Sequence, residues 1–414
     1  MKVLVINRHA LKWTTGPNGD YVPAEPSDRF LITRTFGSGL AGHGPQSFPN
    51  VFVLDMEDRE RLEQVARWII RTHGVDFLVA LHEKDMLLAA RIREELDLPG
   101  MYHERTLRFR DKILMKETLL AGGYRKLPRF RKLAPGEVVE SVPWSGKTVV
   151  KSRWGVGSSQ VRIAADIDAV NGARAELERM GDELEIEEFI EGPMYHCDSV
   201  VRDGEVIFSA PSQYIARPGE YGPGRVAGSV LVSDSNLREK LRREDSEVLR
   251  ILGMESGVTH GEFFRRPSGE FVFCEVAARP GGGGIDDIVA AGYGVELIRA
   301  AVQLQCGVSP DLTHGAKQPT TVAGVIGIYH SADGQDRETS DVLAVPGTRS
   351  YEFAPQELPG AVRHCTDYAH KIIVEATTPE EFTARVERVV QMVRRTEVVS
   401  EQDPAAEMRA RVTT

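Results

Sequence analysis

The segment from Val258 to Gly284 constrains the fold more than any other part of this 414-residue chain. Apolar and polar residues alternate on both sides of Ser268-Gly269, and a short Gly-containing loop between two such runs is typical of a β-hairpin. If these two residues form the loop, Phe264 faces Phe273 across the hairpin. The segment therefore predicts two antiparallel strands in a defined register.

The same register places two acidic side chains, Glu262 and Glu275, directly opposite each other on one sheet face. Opposite residues have Cβ atoms roughly 4.5–5.5 Å apart, and like charges at that spacing destabilise a sheet unless a cation lies between them. Mg2+ is held by carboxylates together with substrate phosphates. Arg279 follows on the same strand parity, roughly 13 Å beyond Glu275, and could contact a neighbouring anion. An ordinary exposed hairpin with a charged face is the alternative interpretation.

Composition narrows the class of protein. Hydrophobic residues make up 41% of the chain and charged residues 27%, as in globular proteins, and the length predicts several domains. The net charge of −10 argues against a general nucleic-acid or membrane surface. The four cysteines have no metal-ligand spacing. No apolar run approaches the roughly 20 residues of a membrane span. We expect a cytoplasmic protein with neither a nucleic-acid nor a membrane partner.

Strand and helix patterns alternate over the first hundred residues, which predicts a small parallel-sheet domain. The first strand, Lys2–Ile6, is not followed by Gly-x-Gly-x-x-Gly, so a dinucleotide-binding motif is not supported. Three further interpretations concern irregular or helical segments. We expect a long surface loop over Thr14–Ser47, one helix from about Arg105 to Leu120, and a second, mobile loop over Pro211–Gly228.

Three weaker motifs precede the hairpin. Lys151 ends an apolar strand and is followed by a Gly/Ser loop, where backbone amides can form an anion-binding nest. Lys112 and Lys116 lie four residues apart on one predicted helix face, and solvated lysines are the ordinary interpretation of both. The segment Glu187 to Gly192 could be a charged strand edge, or a connector that offers backbone groups to a purine ring.

In this order and spacing, the motifs resemble those of the ATP-grasp superfamily over about Val79 to Gly284. The resemblance implies α/β and α+β domains, with ATP held between two α+β subdomains. It also implies a site for ATP and Mg2+, with Mn2+ as a candidate substitute. The implied nucleotide-binding residues are Lys112, Lys151, Gly155, Gly157, Ser158, Ser159, Glu187, Glu188, Ile190 and Glu191. Glu262 and Glu275 are implied as metal ligands, Arg279 as the arginine that contacts phosphate, and His260 as a residue near the substrates.

One departure concerns the second metal ion. Many members of the superfamily carry Glu-x-Asn-x-Arg, whereas Ala277 stands at the Asn position in this chain. Ala277 cannot bind a metal, so a second ion would need another ligand. The strand Thr259-His-Gly-Glu262 followed by Glu275-Val-Ala-Ala-Arg-Pro-Gly-Gly resembles most the L-amino-acid ligase branch.

The resemblance implies a reaction in two steps. A carboxylate attacks the γ-phosphate of ATP to give an acyl phosphate and ADP. The amine of a second substrate then displaces phosphate, and the resemblance implies that the substrates are amino acids. Transfer to a carrier-protein thiol, a carboxylase-type reaction and non-catalytic ATP binding are the alternatives. We expect small-molecule partners, with a homodimer and a carrier protein as further candidates. The sequence leaves both substrates unidentified.

The resemblance also implies a division of the chain into domains. Residues 1–104 correspond to a Rossmann-like pre-ATP-grasp domain, 105–184 to a small subdomain with the glycine flap, and 185–314 to a large subdomain with the metal site. Residues 315–400 correspond to a C-terminal lid and 401–414 to a polar tail. The Pro211–Gly228 loop, with Tyr214 and Arg217, is a candidate cover over the site.

Overall fold

The computed structural model describes residues 1–16, 21–34, 47–158, 160–220, 222–312, 315, 317–332, 336–355 and 364–395. The strands are β1 Val3–Asn7, β2 Arg29–Thr33, β3 Asn50–Val53, β4 Phe77–Ala80, β5 Phe130–Lys132, β6 Thr148–Ser152, β7 Val161–Ala164, β8 Leu184–Glu188, β9 Met194–Arg202, β10 Glu205–Tyr214, β11 Val226–Leu231, β12 Gly257–Arg265, β13 Phe271–Ala277, β14 Val322–Tyr329, β15 Thr348–Phe353 and β16 Tyr368–Ala376. The α-helices are α1 Lys12–Thr15, α2 Arg59–His73, α3 Met86–Glu95, α4 His103–Leu107, α5 Lys112–Ala121, α6 Ile167–Glu178, α7 Ser235–Leu252, α8 Ile285–Tyr293, α9 Leu297–Gln305 and α10 Pro379–Arg395.

The N-terminal region forms a parallel sheet in the order β3-β2-β1-β4, as the strand–helix alternation predicts. Helices α2 and α3 pack against it through an apolar core. The expectation of one long loop over Thr14–Ser47 is wrong, because Phe30, Leu31 and Ile32 are buried in β2 beside the first strand. Much of the remaining segment lies outside the described residues.

Two antiparallel sheets follow. A four-stranded sheet in the order β5-β8-β6-β7 packs against α6. An eight-stranded sheet has the order β13-β12-β9-β10-β11-β14-β16-β15, so the strands after residue 315 extend the sheet that begins with the hairpin. Together with the parallel sheet, these confirm the multidomain α/β and α+β class. In the described part of the chain, no helix is long and apolar enough to cross a membrane.

The predicted helix from Arg105 to Leu120 is two helices in the structure, α4 and α5. The break follows from Asp111, whose side chain accepts hydrogen bonds from the backbone N–H groups of Ile113 and Leu114 and so begins α5 as its N-cap. This break makes Lys112 the first residue of α5. The N-cap at Asp111 therefore determines where Lys112 stands in the helix.

The hairpin register agrees with the sequence at the carboxylates and differs near the turn. Glu262 pairs with Glu275 as predicted, but Phe264 pairs with Val272 and not with Phe273. The loop has three residues, closed by a bond from the Gly269 N–H to the Arg266 carbonyl, and Gly269 has a φ of 84°. A β-bulge after Glu262 absorbs the extra residue, which restores the predicted pairing at the two acids.

The loop that we expected over Pro211–Gly228 is shorter in the structure. Strand β10 continues through Tyr214 and β11 begins at Val226, so the connection spans residues 215–225, of which 221 lies outside the described residues. Tyr214 is therefore the last residue of β10, while Arg217 belongs to the connecting loop.

Candidate active site

Two adjoining cavities lie between the small antiparallel sheet, the large sheet and the N-terminal domain. One has a volume of about 90 Å3 and the other about 250 Å3. Their walls share Gly157, Ser158, Arg217, Glu262 and Glu275. The predicted metal ligands therefore lie where the two cavities meet.

The smaller cavity brings together the two predicted nucleotide lysines. Lys112, at the start of α5, has its Nζ atom 3.1 Å from Oε2 of Glu275 and donates a hydrogen bond to the Gly155 carbonyl. Lys151, at the end of β6, has its Nζ atom 2.7 Å from Oε1 of Glu187. Both lysines are almost fully buried, so their charges are only weakly screened by water.

The interpretation of Lys116 as a solvated lysine is wrong. Lys116 is completely buried, and its Nζ atom lies 2.8 Å from Glu185 and 2.7 Å from Glu187. With Lys151, these residues form a buried cluster of two ammonium groups and two carboxylates. Burial acts to raise the pKa of Glu187, but the two lysines outweigh it and lower the pKa to about 2. The ionised carboxylate of Glu187, on β8, therefore forms an ion pair that fixes the position of the Lys151 ammonium group.

The connector after β8 lines the smaller cavity through Glu188 and Ile190. The backbone N–H of Glu188 donates to the Arg129 carbonyl, so that donor is already used, while the Ile190 carbonyl accepts from Arg217 at 2.7 Å. Glu191 is exposed and does not line either cavity among the described residues. The backbone groups that remain predicted to contact a purine ring are therefore the Glu188 carbonyl and the Ile190 N–H.

The glycine loop after Lys151 lies between the two cavities. Gly157 has a φ of 64°, and a Cβ there would overlap the imidazole of His364, so only glycine fits this position. Ser158 also lines both cavities. The predicted binding residue Ser159 lies outside the described residues. His364 comes from the C-terminal part of the chain, which thus contributes to the wall of the larger cavity.

Glu262 accepts hydrogen bonds on one carboxylate oxygen. The Tyr214 hydroxyl donates to Oε1 of Glu262 at 2.6 Å, and Nε2 of His260 lies 3.3 Å from the same atom. Burial and then the Glu262 charge raise the pKa of Tyr214, so its phenol remains a proton donor. Burial opposes ionisation of Glu262, but His260 and Tyr214 outweigh it and lower the pKa of this carboxyl.

His260 belongs to a buried network that the sequence did not indicate. Its Nδ1 atom lies 2.8 Å from Asp198, which is its register partner on β9, and Asp198 also contacts His196 at 2.5 Å. Burial lowers the pKa of His260, but Asp198 outweighs it and the pKa rises to about 10. For His196 the effect of burial is larger than that of Asp198, so the pKa of His196 is lowered. His260 is therefore the cationic member of the pair.

The ligand atoms of His196, Asp198 and His260 all lie within 4.8 Å of one another, a spacing that a metal ion could bridge. They already bond to each other, and Nε2 of His196 lies 2.5 Å from the Ser229 hydroxyl. We therefore interpret this group as a hydrogen-bond network that orients His260.

Arg279 is held by an acid from the N-terminal domain. Its Nε and Nη2 atoms donate to the same oxygen of Glu83, at 2.9 and 2.6 Å, and Arg110 pairs with the other oxygen. Burial acts to raise the pKa of Glu83, but Arg279 and Arg110 outweigh it and lower the pKa to about 2. Glu83 was missed because it lies 196 residues from Arg279 in the chain. Only the tertiary fold brings the two together.

The N-terminal domain also supplies three rings to the wall of the larger cavity: His9, Trp13 and His82. The His9 ring stacks on Trp13, with centroids 4.2 Å apart. Burial and neighbouring positive charges lower the pKa of His9 to about 3 and that of His82 to about 4. This wall is therefore uncharged near neutral pH.

No protein-family model matches the chain. The chain is 25% identical over 296 residues to an L-arginine-specific L-amino acid ligase from Bacillus subtilis, a match that covers 68% of this chain and 70% of the relative. An L-amino acid ligase from Bacillus licheniformis has a similar structure, with a TM-score of 0.76 and 18% identity, over 94% of this chain and 97% of that one. A carboxyaminoimidazole ribonucleotide synthase from Aspergillus clavatus, complexed with ATP, has a TM-score of 0.71 and 14% identity, over 96% and 99%.

The protein therefore has the ATP-grasp fold, as its motifs predict. Among proteins with that fold, it resembles the L-amino acid ligases in both sequence and structure.

Proposed function

We propose that the protein is an ATP-dependent carboxylate–amine ligase that joins amino acids through an acyl phosphate, with release of ADP and phosphate. One observation carries the proposal: Glu262 and Glu275 lie where two cavities meet, with Lys112 and Lys151 lining one cavity and Arg279 the other. This arrangement suits transfer of a phosphoryl group from a nucleotide in the smaller cavity to a carboxylate in the larger one.

The carboxylate pair suits a divalent cation. The two acids are register partners on adjacent strands, and Lys112 is the cation nearest to Glu275, through Oε2. Oxygen ligands in this arrangement fit Mg2+, which when bound would neutralise charge on the phosphates. Glu262 and Glu275 would hold it. Ala277 lies opposite His260 and offers no ligand atom of its own.

The residues of the chain have separate roles in this proposal. Lys112, Lys151 and the backbone of the Gly155–Ser158 loop bind nucleotide phosphates, and the Glu188 carbonyl and Ile190 N–H bind the base. Arg279, oriented by Glu83, binds the carboxylate that is activated and stabilises the negative charge that develops on it. Cationic His260 adds a second positive charge beside Glu262. Arg217 stacks on Phe189 and Phe264 and so closes the nucleotide cavity from the connecting loop.

The larger cavity favours an amino acid with an uncharged side chain. Its acids among the described residues are Glu83, Glu262 and Glu275, of which the first pairs with Arg279 and Arg110 and the others form the proposed cation site. No further acid in that lining is left for a guanidinium or ammonium side chain. The neutral ring wall suits an apolar or aromatic side chain, in contrast to the relative named for L-arginine.

The test is nucleotide product identity with purified protein, Mg2+ and ATP. ADP and phosphate should appear only when neutral amino acids are added, and arginine or lysine alone should give no turnover. AMP with pyrophosphate would contradict the acyl-phosphate route. Glu275→Gln should reduce ATP turnover at least a hundredfold, while Glu270→Gln, an exposed acid of the same hairpin, should leave it unchanged. Equal activity of the two variants would refute the cation site.

A further inference from the structure

A third cavity, of about 420 Å3, lies between the N-terminal domain and the large sheet. It shares no lining residue with the two cavities of the candidate active site. Its volume is in the range of small-molecule binding pockets. The lining residues are Ala80, Met86, Arg93, Gly100, Met101, Thr106, Asp203, Met254, Glu255, Ser256, Gly257, Ala278, Leu304 and Gln305.

One basic residue, Arg93, lines this cavity, and it is only 6% exposed. Its Nη2 atom donates to the Leu78 carbonyl at 2.7 Å and to the side-chain oxygen of Gln305 at 2.9 Å, and both acceptors are neutral. Its Nε atom is buried and has no acceptor within the described ranges. Arg93 also makes no ion pair with any acid of that part of the chain. The guanidinium is thus a buried charge without a counterion.

Such a group is unusual, because buried charges in proteins are normally paired with an opposite charge. Burial lowers the pKa of Arg93 to about 10, so the guanidinium is still charged at neutral pH. Gly100 packs against Nε and Cδ of Arg93, where a Cβ would lie 3.0 and 2.9 Å away, and Arg93 lines the cavity. The positive charge therefore lies beside space that an anion could occupy.

The other lining residues indicate the chemical character of the rest of the ligand. Met86, Met101, Met254 and Leu304 give the cavity an apolar and adaptable surface. Asp203 and Glu255 have largely exposed side chains and form ion pairs with Arg202 and Arg105. Among the described lining residues this leaves the single charge of Arg93 for a ligand, which suits a singly charged anion better than a phosphate ester. We propose that this cavity binds a small monocarboxylate with an apolar body, whose carboxylate pairs with the guanidinium of Arg93.

The position of the cavity links such a ligand to the candidate active site. Ala278 directly precedes Arg279, and Met86 begins α3 immediately after the 3-10 helix that carries Glu83. A bound acid would therefore contact the two chain segments that hold the Glu83–Arg279 ion pair. The binding itself is independent of the function proposed above and can be measured without ATP.

The experiment uses the full chain and 4-methylpentanoate as the probe, measured by calorimetry without nucleotide. Arg93→Gln should weaken binding at least tenfold, and Arg93→Lys should lose less. Arg279→Gln, which changes the active-site arginine, should retain the binding. The amine 3-methylbutylamine, which has the same body without a carboxylate, should not bind. Equal affinity of the wild type and Arg93→Gln, or loss of binding in Arg279→Gln, would overturn the proposal.

Two further measurements keep the proposal testable if Arg93→Gln does not fold. Met101→Trp fills the cavity from its apolar wall while Arg93 is retained, and it should abolish binding of the probe. A crystal soaked with 4-bromobenzoate should give an anomalous bromine peak inside this cavity. A peak found only beside Arg279 would assign the carboxylate to the active site and contradict the proposal.

Discussion

Replacement of Lys116 by methionine tests whether the buried charge cluster stabilises the nucleotide-binding region. Lys116 is completely buried and contacts both Glu185 and Glu187, while Lys151 contacts the same two acids from the other side. The variant leaves two buried carboxylates with one ammonium group. We expect a large loss of stability in the small antiparallel sheet, because an uncompensated buried charge is costly.

The magnitude follows from the cost of keeping one of the two carboxyls protonated. With an unfolded pKa of about 4.3, this costs about 5 kcal/mol at pH ~8, at ~1.36 kcal/mol per pH unit. The value agrees with the roughly 3–5 kcal/mol measured when one partner of a buried pair is removed. Since a raised folded-state pKa of an acid destabilises the fold as pH rises, the loss should shrink to about 1–2 kcal/mol near pH ~5.5.

The assay is hydrogen exchange of the β6 and β8 amides at increasing urea, because a multidomain chain need not unfold in one step. The control is Lys116→Met combined with Glu185→Leu, which leaves the Lys151–Glu187 pair intact and should recover most of the lost stability. A loss below about 1 kcal/mol at pH ~8, or no recovery in the double variant, would refute the argument.

Two other variants test the site. Glu83→Gln removes the charge that orients Arg279 and should lower kcat/KM for ATP-dependent ligation about 10–100-fold, with little change in ATP affinity; an unchanged kcat/KM would contradict the role of Glu83. Asp198→Asn removes the carboxylate that raises the pKa of His260 to about 10. Because that folded-state pKa lies above the unfolded value of about 6.5, the stabilisation is complete below pH ~6.5 and lost as pH rises through ~10. Urea titrations should therefore show wild-type stability falling across this window and a flatter profile for Asp198→Asn.

Local patterns predicted the elements that depend on neighbours in the chain. The alternation around Ser268-Gly269 predicts the hairpin, and it places Glu262 opposite Glu275 as in the structure. It does not predict the bulge, because an extra residue in one strand leaves the alternation on either side unchanged. Asp111, a standard N-cap residue, could have indicated the break between α4 and α5.

The sequence was least informative about charged residues that are buried. Lys116 has no local feature that separates it from a surface lysine, because its burial results from strands that lie about 70 residues further along the chain. Glu83 and Asp198 gain their roles from partners on other elements in the same way.

By itself, the sequence determined the order of the elements, the paired carboxylates and the lysine, glycine and arginine motifs that identify the fold. These features follow from strand periodicity, turn chemistry and the spacing of a few residues along the chain. Tertiary structure alone decided which charges meet: Arg279 with Glu83, His260 with Asp198, and Lys116 with Glu187. It also decided that Arg93 is buried beside a cavity and makes no ion pair with any acid among the described residues. Electrostatic environment depends on distance and burial in space, and neither quantity is encoded in the spacing of residues along the chain.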